Sequence, residues 1–339
     1  MAKIAVELER ALADRAARGA AGQATAGILA RGDGWTVADV VCTSGPSDRR
    51  FEEQHDGYAI AVVVAGSFQY RSALGGGLMA PGSLMLGNPG QCYECGHDHG
   101  SGDRCVAFRY EPHYFERLAA GARFRASRLP ACRASSALVA RTVAGLLGSP
   151  FVAWEELGVQ LAAMAAAAEG RPGDAESMPP NAVARVTRVV RAIERHPEAA
   201  LTLPRLAAGA GLSPYHFLRT FERVTGVTPH QFILRARLRA VAVQLAHEAG
   251  SVLDIALDRG FGDVSNFNRA FKAEFGVSPR AYRNGATGPR RRMGSDRIGR
   301  AAACGSASRS AVAAPHALSD AGGCPAPLRR RPAVRPARW

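Results

Sequence analysis

"IALDRGFGDVSNFNRAFKAEFGVSP", residues 255–279, is a near repeat of "LAAGAGLSPYHFLRTFERVTGVTP", residues 206–229. Leu206-Ala207 aligns with Ile255-Ala256, and Gly211-Leu212 with Gly260-Phe261. Phe217, Arg219, Phe221 and Gly226-Val227-Thr228-Pro229 align with Phe267, Arg269, Phe271 and Gly276-Val277-Ser278-Pro279. Self-similarity of this kind marks one supersecondary unit used twice. Each copy reads as a short helix, a glycine turn and a second helix. Ser213-Pro214 supplies an N-cap and a first-turn proline for the second helix of copy one. Ser251 with Asp254 forms a capping-box pattern ahead of the first helix of copy two. Gly211 and Gly260 stand where the first helices must stop, in the left-handed backbone that suits glycine.

Phe217/Phe221 and Phe267/Phe271 lie one turn apart, so each second helix buries an aromatic face. The opposite faces carry Tyr215, Leu218, Arg219 and Arg223 in the first copy, and Val264, Ser265, Asn266, Asn268, Arg269 and Lys272 in the second. A helix with polar and basic residues outward, following a tight turn, is the helix-turn-helix arrangement that enters a major groove. Between the copies, "HQFILRARLRAVAVQLAHEAG" reads as a helix with Leu234, Leu238, Val241 and Leu245 as its buried stripe. Some twenty residues of helix span roughly 30 Å. Successive major grooves on one side of a duplex lie about 34 Å apart, so one chain could address both. An ordinary helical bundle with a solvated arginine face is the competing reading; repeat, caps and spacer length weigh against it independently.

The rest of the 339-residue chain divides by composition. Residues 1–180 hold 17 basic against 19 acidic residues, residues 181–284 hold 15 against 8, and residues 285–339 hold 11 against 2. The overall charge of +14 therefore falls on the second half, which points to a polyanionic partner. From Trp35 to Tyr110, "YAIAVVVAGSFQYRS", "GSLMLGN" and "RCVAFRY" read as strands of a small sandwich or barrel, and "ALGGGLMAPG" as a hairpin turn. Helical text follows in "EPHYFERLAAGA", "SSALVARTVAGLLG" and "VAWEELGVQLAAMAAAAEG". The expectation is an α+β protein: a β-rich domain with helices at 1–170, a linker at 171–181, an all-α domain at 182–284 and a disordered basic tail at 285–339. The N-terminus lacks the apolar core of a secretory signal, and no stretch is apolar enough to cross a membrane. Seven cysteines in a chain of this length do not make a disulfide scaffold, so a cytoplasmic location is expected.

Residues 181–284 closely resemble the DNA-binding domain of the AraC/XylS family of transcription regulators, most tellingly in "DIALDRGFGDVSNFNRAFKAEFGVSPRAYR". The resemblance implies two helix-turn-helix units joined by a linker helix. It implies that Tyr215, Leu218, Arg219, Val264, Asn266 and Arg269 occupy base-facing positions. Arg219 then suits guanine and Asn266 suits adenine, while Leu218 and Val264 favour a thymine methyl. Lys272 and Arg280 suit phosphate contacts, which position without specifying. Double-stranded promoter DNA and RNA polymerase are the implied partners, with a small-molecule or metal effector and possible homodimerisation. "GSFQYRS" followed by "APGSLMLGNPGQCYECGH" resembles the cupin-like sensory domain found ahead of such DNA-binding domains.

"QCYECGHDHGSGDRC", residues 91–105, concentrates the chain's metal-ligating residues. Cys92, Cys95, His97, His99 and Cys105 would suit tetrahedral zinc, although their spacing is not a common zinc-finger frame. On a strand, alternation sets Cys95, His97 and His99 on one face, with Cys105 from the next strand. Reactive redox thiols and plain packing residues are the two other readings of the same text. His55 could be a cupin-type ligand or a structural residue, and Cys42 and Cys132 read as isolated and buried. No paired carboxylates, Ser/His arrangement or phosphate-cradling loop appears, so a non-enzymatic regulator is expected. A cupin-like metalloenzyme, or a thiol-based methyl or redox sensor, fused to the DNA-binding module is the alternative.

Overall fold

The computed structural model describes residues 2–287 apart from 99, 101, 120–121, 150–151, 169–178 and 248–249. Helix α1 (Ala2–Arg18) leads into strands β1 (Ala24–Gly32), β2 (Trp35–Cys42), β3 (Phe51–Gln54), β4 (Tyr58–Gly66) and β5 (Phe68–Ser72). Strands β6 (Gly75–Met79), β7 (Leu84–Gly87), β8 (Cys92–Gly96) and β9 (Asp103–Tyr110) follow. Next come α2 (Pro112–Ala119), the short β10 (Arg128–Leu129), α3 (Arg133–Leu146) and α4 (Trp154–Ala166).

All strand pairings are antiparallel, in one sheet of order β1-β2-β9-β4-β7-β10 and a second of order β3-β8-β5-β6. The unbroken apolar run "YAIAVVVAG" of β4 follows from its place inside the larger sheet, where both faces are covered. Ala61 and Val63 of β4, with Cys105 and Ala107 of β9, pack on Phe68, Tyr70, Met79 and Cys95 of the smaller sheet. Ile60, Val62, Val64, Val106 and Phe108 point the other way, onto Phe115 of α2, Val139 and Val143 of α3, and Leu157 and Leu161 of α4. Alternate residues thus serve two different cores, and period-2 polarity disappears. This is the α+β arrangement expected, with a β-rich half of two packed antiparallel sheets.

Three local expectations need correction. "YAIAVVVAGSFQYRS" is two strands rather than one, broken where Gly66 takes a φ of 73°. Gly75, Gly76 and Gly77 belong to strand β6, and the hairpin turn is Ala73-Leu74, because Ser72 pairs with Gly75. Glycine is required at Gly76 by crowding, since a Cβ there would sit 2.4 Å from the Tyr70 carbonyl oxygen. Helix α1 and strand β1 were not anticipated at all.

The helical half comprises α5 (Pro180–Arg195), α6 (Leu203–Ala210), α7 (Pro214–Thr225), α8 (Pro229–His247), α9 (Val252–Asp258), α10 (Val264–Phe275) and α11 (Pro279–Thr287). Most of the expected linker lies outside the described residues, and α5 begins inside its range. The expected tail likewise lies outside them beyond residue 287, and α11 runs three residues past its expected start. Two aromatic cores are strung along α8. Phe232, Ile233 and Ala236 join Phe217 and Phe221 of α7 with Val186, Val190 and Ile193 of α5. Leu238, Val241, Ala242 and Leu245 join Ile255 of α9 with Phe267, Phe271 and Phe275 of α10.

Helix α8 is buried on more sides than its leucine stripe suggests, since the β-rich half packs on it as well. Leu234 of the expected stripe is only half-buried, whereas Arg239 is buried. Ala137 and Ala140 of α3 enter the second aromatic core, and Leu78 and Ala80 enter the first. Polar contacts reinforce the junction. Arg235 donates to the Ala131 carbonyl at 3.0 Å and pairs with Glu274 at 3.1 Å, and Ser136 donates to the same carboxylate.

Candidate nucleic-acid interface

Each outward helix of the repeat starts on a side-chain cap and ends on a left-handed glycine. Ser213 accepts from His216 N at the start of α7, and Asp263 accepts from Ser265 N at 2.7 Å and Asn266 N at the start of α10. Gly226 and Gly276 close the two helices with φ of 82° and 78°. Ahead of them, Gly211 at 64° and Gly260 at 82° make the turns between paired helices. These devices fix where each helix points without using any residue of its outer face.

Those outer faces are open. Tyr215, Arg219, Arg223, Val264, Ser265, Asn266, Asn268, Arg269, Lys272 and Arg280 are exposed, and Leu218 is half-buried. Behind them Phe217, Phe221, Phe267 and Phe271 are fully buried. The equivalent arginines of the two copies are each held by a neighbour on their own helix. Arg219 Nη1 donates to the Tyr215 hydroxyl at 2.9 Å, with its guanidinium 5.8 Å from the ring centroid. Arg269 Nη2 donates to Asn266 Oδ1 at 2.8 Å. Both guanidinium groups therefore face solvent in a set direction, with donors to spare for a planar acceptor pair. The β-rich half packs on other surfaces of the helical domain and leaves these faces uncovered.

Two capped helix pairs with matched basic outer faces define a DNA-binding protein of the helix-turn-helix class. A model of the helix-turn-helix domain matches residues 206–285. The regulator MtrA of Neisseria gonorrhoeae is 32% identical over 99 residues, covering 29% of this chain and 33% of that protein. The right origin-binding protein of Escherichia coli K12 is 41% identical over 91 residues, covering 27% of this chain and 32% of that protein. Among solved structures, a transcriptional regulator with an AraC-type DNA-binding domain from Chromobacterium violaceum is 26% identical, with a TM-score of 0.29, covering 31% of this chain and 94% of that one. Residues 206–285 are thus an AraC-type helix-turn-helix domain, similar to those of transcription regulators. It spans about a third of the length of the curated relatives it matches.

The cysteine-rich segment of the β-rich half is laid out differently from its linear order. Cys92 opens β8 opposite Gln54, half-buried, while Cys95 lies on the alternate face and is buried. His97 follows one residue beyond the strand, and Cys105 comes from β9; all three are buried between the sheets. His99 lies outside the described residues. Two more residues complete the group: Cys42 at the end of β2, which is buried but not isolated as expected, and Asp103 at the start of β9, paired with it by register. The pairing joins segments about sixty positions apart, so the sequence does not show that the two meet.

His97 Nε2 meets Asp103 Oδ1 at 2.7 Å, and Cys105 Sγ donates to Asp103 Oδ2 at 3.1 Å. Burial opposes the charged imidazole, but the Asp103 hydrogen bond and charge, with Cys42, outweigh it and lift His97 to about 9. Burial also drives the Cys95 and Cys105 thiols well above their ordinary range, which disfavours the thiolate that redox chemistry needs. His55 belongs to another group: it stacks on Tyr93 at 4.2 Å and meets the Tyr70 hydroxyl at 3.2 Å. Glu94 and Asp98, the acids nearest in sequence, both pair with Arg50.

Proposed function

We propose that the protein is a sequence-specific transcription regulator whose helices α7 and α10 enter adjacent major grooves of promoter DNA under the control of the β-rich half. The observation that carries this reading is the matched pair Arg219 and Arg269, exposed at equivalent positions and each pre-oriented on its own helix. Pre-orientation lowers the entropy cost of a bidentate contact to guanine, which adds to the argument for base readout. The net excess of seven basic residues over 181–284 supplies the long-range attraction. Asn266 suits adenine, Tyr215, Leu218 and Val264 suit apolar contact, and Arg223, Ser265, Asn268, Lys272 and Arg280 suit the backbone. A polymerase partner, a bound effector and homodimerisation belong to the same reading, in which the protein acts without turnover in the cytoplasm.

Selection of duplexes from a random pool by the full chain tests the reading. A site with two conserved blocks about one helical turn apart is expected. Arg219→Ala and Arg269→Ala should each cost about 1–3 kcal/mol in binding and relax one block. Lys272→Ala should weaken all sequences alike and lower the salt slope by about one. Binding that shows no sequence preference, or two arginine variants that relax the same block, would sink it.

A further inference from the structure

We propose that the β-rich half holds one divalent ion of borderline softness, zinc or a near neighbour, between its two sheets on Cys42, His97 and Asp103. One donor atom from each of the three lies within 4.8 Å of the other two, and all three residues are buried. Three separate strands deliver them. Cys42 closes β2, Asp103 faces it across the register at the start of β9, and His97 extends β8 of the opposing sheet. Strand register thus fixes the Cys42–Asp103 pair, and His97 follows directly on the end of β8.

The imidazole is not consumed by the fold. Its Nε2 meets Asp103 at 2.7 Å, while its Nδ1 is buried with no hydrogen-bond partner. Buried polar atoms are nearly always satisfied, and a ring with one nitrogen left bare, within reach of a thiol and a carboxylate, marks a place for a ligand. A thiolate, an imidazole and a carboxylate make a mixed set that suits zinc and disfavours magnesium or calcium, which take oxygen alone. Bonds of about 2.0–2.3 Å at tetrahedral angles place ligand atoms roughly 3.3–3.8 Å apart. The present spacing therefore needs shifts on the order of 1 Å. Cys42 gives up its thiol proton on ligation, so uptake releases acid. The Cys105 thiol, bonded to the far oxygen of Asp103, holds that carboxylate in place as an outer partner.

The full chain, stripped with a chelator and titrated with cobalt(II), tests the site without any use of DNA. One equivalent should bind with sulfur-to-cobalt charge-transfer absorption, and zinc should displace it. Cys42→Ser should abolish that absorption and weaken uptake at least about tenfold, while Cys92→Ser should leave both unchanged. Should Cys42→Ser fail to fold, X-ray absorption at the metal edge of the zinc-loaded wild-type chain reads the same ligand set. One sulfur with nitrogen and oxygen neighbours is the expected shell. Absence of stoichiometric uptake, any other sulfur count, or loss of uptake in Cys92→Ser alone would overturn the proposal.

Discussion

Arg239→Met should destabilise the chain by about 3–5 kcal/mol at neutral pH, the usual cost of breaking a buried ion pair from one side. Arg239 Nη2 lies 2.7 Å from Glu194 Oε1, with side chains 7% and 15% exposed. Burial pushes the Glu194 carboxyl upward, and the charge and hydrogen bond of Arg239 pull it back. Two unit charges about 4 Å apart attract by roughly 4 kcal/mol in a protein-like dielectric, in line with the first figure. Without the cation, Glu194 can escape its stranded charge by taking up a proton. Its carboxyl in the folded variant then lies above the unfolded value, so the folded state binds more protons and gains stability as pH falls. Urea unfolding at about pH 7 and about pH 5 should therefore show a smaller loss at the lower pH. Arg239→Met combined with Glu194→Gln should recover about 2–3 kcal/mol of the summed single losses. Equal losses at both pH values together with additive single costs would refute this account.

Gly276→Ala should cost about 1–2 kcal/mol, since its φ is 78° and the space beside it is open. Gly260→Ala shares the backbone penalty and also drives a Cβ to 2.7 Å from the Glu198 carbonyl oxygen, so it should cost at least about 3 kcal/mol. Thermal melts compare the pair directly, and similar shifts for the two would contradict the close approach at Gly260. Burial, then the charge of Arg109, lowers His55 to about 4 from its ordinary 6.5, so the folded state holds it neutral. Its contribution is complete above the unfolded value of 6.5 and is lost as pH falls through 4, a total on the order of 3 kcal/mol. His55→Gln should flatten that part of the stability profile; a difference between wild type and variant that does not vary across this range would exclude the assignment.

The helix-turn-helix units were legible because everything that specifies them is local. Caps, stop glycines and the Phe217/Phe221 spacing fall within about twenty-five residues of one another in each copy. The arginine faces followed, since a helix with one buried side leaves only one direction for the rest. The cluster around His97 was only half legible. Cys95, His97 and Cys105 are near neighbours in sequence, and period-2 alternation places the first two on one face. Cys42 and Asp103 meet through the pairing of β2 with β9, a long-range register that no local pattern encodes. Helix α8 misled for the related reason that its environment is set by two domains. A single buried stripe describes a helix packed on one side, but Arg239 is turned inward by Glu194 and lies against Gly82.

Helix α8 also acts as a ruler. Its first half is rooted in one aromatic core and its second half in the other, so the two units have no independent freedom along it. Inserting a single residue at its middle would advance one core by about 1.5 Å and rotate it by roughly 100° relative to the other. The two arginine faces would then look in different directions while each unit stayed intact. The relative aim of the pair is stored as a count of residues, and length is the property of this helix that substitution at its surface cannot replace.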